Sequence, residues 1–136
     1  MSVPGTIPLE IITPTRVLYK GEVQMLRAPG TLGSFQVFPR HLPFITTLEI
    51  GEIGLRLADG SERILATSGG FVEVLHGGIT VLAETAEFAE EIDTRRAEEA
   101  LERARRLLRE KQADRSEAEQ ALTRAMNRLR VASRAH

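Results

Sequence analysis

Arg124 and Arg128 stand four residues apart in a stretch whose apolar residues recur with helical period, so their guanidinium groups share one face. Two planar cations one turn apart can clamp a phosphate or carboxylate chain through paired N–H donors. The plainer alternative is a solvated basic face. The other chemistry-bearing residues form no self-contained catalyst: His41 lies in Phe38-Pro39-Arg40-His41-Leu42-Pro43, His76 in a turn and His136 at the end, none within a nucleophile or metal pattern. Ser68-Gly69-Gly70 lacks the preceding glycine of a nucleophile elbow, and no HExxH or phosphate-loop pattern occurs. The absence of cysteine excludes disulfide-stapled, zinc-finger and iron–sulfur classes. The sequence predicts a chain that is not an enzyme and holds no metal.

Whatever positions these arginines must be built from two differently composed segments. All 11 glycines lie between Gly5 and Gly78 and all 6 prolines between Pro4 and Pro43, so the last 58 residues contain neither. Residues 1–86 hold 6 basic and 8 acidic side chains, whereas the 50 residues 87–136 hold 12 and 11. The first segment consists of short β-branched or alternating runs separated by turn signals: Leu9–Thr13, Arg16–Tyr19, Glu22–Ala28, the pair Ile53–Leu57 and Ile64–Thr67 around Asp59-Gly60, and Phe71–Leu75 followed by His76-Gly77-Gly78 and a further alternating run from Ile79. Short strands at this spacing predict an antiparallel β-sandwich or barrel over residues 1–87. Its expected core comprises Ile11, Val23, Met25, Val37, Ile53, Leu55, Ile64, Phe71, Val74 and Val81.

Over residues 88–136 the period changes. Ala97, Ala100, Leu101, Ala104, Leu107 and Leu108 mark one helical face, with Asp93 as N-cap, and Ala118, Ala121, Leu122, Ala125, Leu129 and Ala132 mark a second. The polar segment Lys111–Ser116 suits the turn of an antiparallel two-helix hairpin, closed by an alanine-rich seam. Yet it contains no glycine or proline, and the apolar stripe continues at a three-heptad offset, so one long helix fits as well. With few large apolar residues to offset the ordering of some 40 positions, the hairpin is expected to be marginal alone, its state decided by docking, ligand or partner. Residues 87–102 carry 7 acidic and 2 basic side chains and residues 103–136 carry 10 basic and 4 acidic, part of which matches the helix dipoles.

A formal net charge of −1 argues against a general nucleic-acid binder, and Phe88 is the one aromatic residue among the last 50, which leaves little for base stacking. A nucleotide-hydrolysing enzyme would need a metal site and a base that no motif supplies. The N-terminal residues do not read as a secretory signal, and no apolar run approaches the roughly 20 residues of a membrane span. Membrane association would have to come through a partner.

Three stretches in order, Gly33-Ser34-Phe35-Gln36-Val37-Phe38-Pro39-Arg40-His41-Leu42-Pro43, Ser68-Gly69-Gly70-Phe71-Val72-Glu73-Val74 and Thr80-Val81-Leu82-Ala83-Glu84-Thr85-Ala86-Glu87, resemble the epsilon subunit of the F-type rotary ATP synthase over essentially the whole chain. The resemblance implies a ten-stranded β-sandwich and a helical hairpin on the central stalk, against the gamma subunit and the membrane c-ring. It implies a peripheral location at the cytoplasmic face of the bacterial membrane, and contact with the catalytic alpha and beta subunits when the helices extend. Gly33, Phe38, Pro39, Arg40 and His41 match the region that faces the rotor, although Gln36 and Arg40 stand where the family commonly has glycine.

Members that bind ATP as a regulatory ligand share an Ile/Leu-Asp-x-x-Arg-Ala motif, and this chain has Ile92-Asp93-Thr94-Arg95-Arg96-Ala97. By position, the resemblance adds Glu87, Arg103, Arg124 and Arg128 to Ile92, Asp93, Arg96 and Ala97 as the implied ATP site. It gives the arginines to the polyphosphate, and Glu87 and Asp93 to adenine or ribose. The implied function is coupling of rotation to ATP synthesis, with hydrolysis inhibited through an ATP-sensitive movement of the helices and no cofactor required.

Overall fold

A computed structural model describes residues 5–110 and 114–135. The first four residues of the N-terminal segment, the first half of the expected turn Lys111–Ser116, and His136 lie outside the described residues. Nine strands precede two helices: β1 (Ile7–Ile12), β2 (Val17–Gly30), β3 (Gly33–Val37), β4 (Phe44–Leu48), β5 (Gly51–Leu57), β6 (Glu62–Thr67), β7 (Gly70–Leu75), β8 (Gly78–Ala83), β9 (Ala86–Phe88), α1 (Thr94–Arg109) and α2 (Arg115–Ser133), with a 3-10 turn at Ala89–Glu91.

The strand count falls one short of ten among the described residues because β2 does the work of two. The separate runs Arg16–Tyr19 and Glu22–Ala28 are one 14-residue strand whose first half pairs with β1 and whose second half pairs with β5 and β3. A register shift between Val23 and Met25 re-aims it between the two layers. One layer is β2-β5-β6-β9 with β3 alongside; the other runs β1-β8-β7-β4, and β4 returns to β2 at Gly30 and Leu48. All pairings are antiparallel except β1 with β8, which are parallel and far enough apart in sequence for the chain to return from the other end.

Both layers face one core, where Ile11, Val72, Val74 and Val81 meet Leu26, Val37, Ile53, Leu55 and Leu65. Of the expected core, Ile64 is only half-buried and Phe71 is 51% exposed. Phe71 and Val72 are adjacent on a strand and cannot both point inward; the pleat takes Val72 and Val74 in and turns Phe71 and Leu75 out. The Asp59-Gly60 turn forms as expected, with Gly60 at φ 86° and its N–H donating to Leu57 O.

The hairpin, not the single helix, is the state of the described chain. Asp93 caps α1 by accepting from Arg96 N at 3.1 Å, and Asp114 caps α2 by accepting from Glu117 N at 3.2 Å. Ala97 and Ala104 pack in a seam with Ala118 and Ala125, all buried, while Leu101, Leu108, Leu122 and Leu129 sit half-buried at its rim and Leu107 is exposed. The small side chains are what let the two backbones approach. α2, rather than α1, lies on the sheet, packing on β5, β6 and the 3-10 turn, whereas α1 packs chiefly on α2.

Candidate functional site

A cleft of about 590 Å³ opens between the hairpin and the edge of the sandwich. Ala100, Ala104 and Leu107 of α1 and Ala121 and Ala125 of α2 supply an apolar floor, and Ala66, Thr67, Ser68 and Thr85 form the sandwich wall. Four cations enter it, Arg96 and Arg103 from α1 and Arg124 and Arg128 from α2, together with the carboxylate of Glu87 on β9. Arg96 and Arg103 lie seven residues apart and Arg124 and Arg128 four, spacings that set each pair on one side of its helix.

The arginines are not equivalent. Arg128 grips Glu87 with two bonds, Nε to Oε1 at 2.6 Å and Nη2 to Oε2 at 3.1 Å, and both side chains are about two-thirds buried. Arg124 pairs with the well-exposed Glu117 at 2.9 Å. Among the described residues the guanidinium groups of Arg96 and Arg103 have no hydrogen-bond or ion-pair partner. On the sandwich wall Thr85 Oγ1 donates to Ser68 Oγ at 2.6 Å, and Thr67 Oγ1 donates to Thr85 O at 3.0 Å. A polyanion with a polar, partly apolar head matches such a cleft: cations on one side, hydroxyls on the other, and a hydrocarbon floor. No group of His, Asp or Glu able to hold a metal ion is found among the described residues.

Five of the eight residues implied as an ATP site thus share one cleft: Glu87, Arg96, Arg103, Arg124 and Arg128. The other three stand behind it. Ile92 is buried with Ala66, Ala89, Val131 and Ala132, so it ties the start of α1 to the end of α2. Asp93 spends its side chain on the α1 cap, and Ala97 is fully buried in the seam.

The implied rotor-facing residues divide in the same way. Gly33–Val37 are strand β3 rather than loop, so Gly33 is roughly 16 Å of extended chain away from Phe38. Phe38, Pro39, Arg40 and His41 do form one tight turn, in which His41 N–H donates to Phe38 O at 3.2 Å. Arg40 sits at φ 70° in the position that, after a proline, a type II turn reserves for glycine. The turn therefore survives the substitution, with the arginine held in the left-handed region. His41 is a packing residue: its Nδ1 lies 2.9 Å from Leu42 O and its ring lies against Phe44.

Sequence reasoning missed the residues that dock the hairpin. Asn127 is 2% exposed; its Nδ2 donates to Gly51 O at 2.8 Å and to Thr67 O at 3.5 Å, and its Oδ1 accepts from Arg130 at 2.9 Å. Glu52 accepts from both Arg27 and Arg134, tying the end of α2 to β5. The one available signal was Val131, an apolar residue off the alanine stripe and one turn beyond Asn127, which marks a second buried face on α2.

Two family models match the chain: the beta-sandwich domain of the ATP synthase Delta/Epsilon chain over residues 6–89, and the long alpha-helix domain of the same chain over residues 90–133. Similar curated proteins include the ATP synthase epsilon chain of Syntrophomonas wolfei, 40% identical over 132 residues and 96% of each chain. That of Moorella thermoacetica is 44% identical over 130 residues, covering 94% of this chain and 97% of its own length. In fold, the structure resembles a chain of the Euglena gracilis mitochondrial ATP synthase with a TM-score of 0.82 at 23% identity, over 100% of this chain and 85% of that one.

Proposed function

The chain belongs to the ATP synthase epsilon-chain family, and from that premise we propose that it is a non-catalytic central-stalk subunit whose C-terminal hairpin is a nucleotide-sensitive brake. In this reading the sandwich joins the gamma subunit and the c-ring through surfaces that include the Phe38–His41 turn, and the chain reaches the membrane only through the complex. ATP occupies the cleft under the hairpin and holds it closed. When ATP is scarce the hairpin opens and extends, the basic face of residues 103–134 meets acidic surfaces of the catalytic subunits, and hydrolysis stops.

The observation that carries this proposal is the convergence of Glu87, Arg96, Arg103, Arg124 and Arg128 on one cleft bounded by both helices and the sandwich. A ligand that touches α1, α2 and β9 together binds only the closed form, which is the requirement for a population shift. At a hundredfold excess over Kd, such a ligand contributes about 2.7 kcal/mol to closure, enough to invert a near-balanced equilibrium.

Two measurements test it. Calorimetric titration of the full chain with ATP should show saturable binding, weakened roughly tenfold or more by Arg124→Ala through loss of a charge-assisted bond. Removing the residues after Glu87 from the assembled complex should release hydrolysis while leaving coupling intact; unchanged hydrolysis would overturn the inhibitory role.

A further inference from the structure

We infer that Arg63, on the side of the molecule away from the cleft, is a clasp that keeps the 3-10 turn Ala89–Glu91 on the sandwich when the helices leave it, so that the hairpin hinges at Ile92 and Asp93 and not at the end of β9. This rests on the opening of the hairpin proposed above and locates its pivot.

Two joints between β9 and α1 could swing. Phe88, at φ −64° and ψ 145°, joins β9 to the turn, and Ile92 and Asp93, both extended, join the turn to α1. Hinges absorb large dihedral changes at a few element-terminal residues of this kind. The turn between the joints rests on both bodies, packing on β6 of the sandwich and on α2 of the hairpin. Which body it follows depends on what holds each joint.

Arg63 spans the first joint. On β6, Leu65 stands opposite Phe88, so two residues further along Arg63 comes level with Glu90. Its guanidinium carbon lies 3.5 Å from the centre of the Phe88 ring, and its Nη2 donates to Glu90 Oε1. One cation thus holds the last residue of the strand and the middle of the turn, stacked on the first and paired with the second. The ring it covers belongs to the sandwich core, where Phe88 is buried and meets Tyr19 edge-on at 6.3 Å. A swing at Phe88 would break the ion pair and strip that cover from the core. The second joint is held differently. Asp93 gives its carboxylate to the α1 cap, and Ile92 packs with Val131 and Ala132 of α2, contacts that end when α2 lifts. The hairpin therefore parts from the sandwich at Ile92 and Asp93, and the core stays sealed behind it.

The chain has no cysteine, so tethers can be placed at chosen pairs. Arg63→Cys with Glu90→Cys, joined by a short bismaleimide, ties the turn to β6, and Glu52→Cys with Arg134→Cys, joined in the same way, ties the end of α2 to β5. Native-state hydrogen exchange of the α1 and α2 amides in the full chain reads the opening. The first tether should leave those rates within about twofold of the parent, whereas the second should slow them about tenfold or more. Arg63→Met, which keeps the packing over the ring and drops the charge, should speed exchange of the Ile92 N–H, bonded to Ala89 O at 3.3 Å, at least about threefold. Slowing by the first tether as large as by the second, or an Ile92 rate unmoved in Arg63→Met, would overturn the clasp while leaving the opening of the hairpin intact. If neither tether slows the helices, they exchange without leaving the sandwich, and both readings fall.

Discussion

Replacing Asn127 by alanine isolates the docking of the hairpin from the stability of the sandwich. The carboxamide is buried, and its removal leaves the Gly51 carbonyl, and more weakly that of Thr67, facing a methyl group and a small void. Gly51 and Thr67 face each other in the β5–β6 ladder and keep their strand partners, so what is lost is a second, buried hydrogen bond, about 0.5–1.5 kcal/mol. Because undocking returns those carbonyls to water, the whole penalty falls on the docked state, and the docking equilibrium should move by about 2–13-fold. Native-state hydrogen exchange reads this directly. Amides of α1 and α2 should exchange faster by that factor, while core amides such as those of Val72 and Val81 keep their protection. ATP at a hundredfold excess over Kd, contributing about 2.7 kcal/mol, should restore most of the lost protection. Equal acceleration in core and helices would show that Asn127 supports the whole fold rather than the docking; helix protection equal to the parent's would refute the role altogether.

Three further expectations concern the sandwich. Arg40→Gly should relieve about 1–2 kcal/mol of left-handed strain, offset in part by glycine's larger unfolded-state entropy, and raise Tm by roughly 3 °C in a calorimetric scan; a lower Tm would contradict the turn geometry. Gly70→Ala drives a Cβ into Leu82 O at φ 141°, so a urea melt should show a loss of at least about 3 kcal/mol, and a near-neutral result would contradict the register of β7 against β8. Ser61 donates both N–H and Oγ–H to Asp59 Oδ1, and these bonds hold the Asp59 carboxyl below its usual value. Its contribution to stability is therefore present above the ordinary carboxylate range and lost as pH falls through the lowered folded value. NMR titration of Ser61→Ala should find the carboxyl moved back up, with parent and variant converging in stability in acid.

The β-hairpin at Asp59-Gly60, the alanine seam and the Asp93 cap were legible because each is a local rule, satisfied within a few residues. Phe71 misleads because two adjacent apolar residues on a strand leave open which one the pleat turns inward. The continuous β2 was hidden by Lys20-Gly21, which reads as a break although the strand runs through it on its way between layers. The cleft arginines came from resemblance and helical spacing together, whereas the polar locks were out of reach. Asn127 and Gly51 are 76 positions apart, Glu52 and Arg134 are 82, and no periodicity connects an amide side chain to a backbone carbonyl at that distance.

Because β2 belongs to both layers and the ring β1-β8-β7-β4-β2 closes through it, the layers cannot slide past one another without breaking rows of backbone hydrogen bonds together. Under torque such a body behaves as a stiff block, and the compliance of the molecule is concentrated where α2 rests on β5 and β6. A load applied to the sandwich is therefore passed on nearly undeformed, and whatever yields first does so at the side-chain packing of α2, where no ladder of backbone bonds has to break.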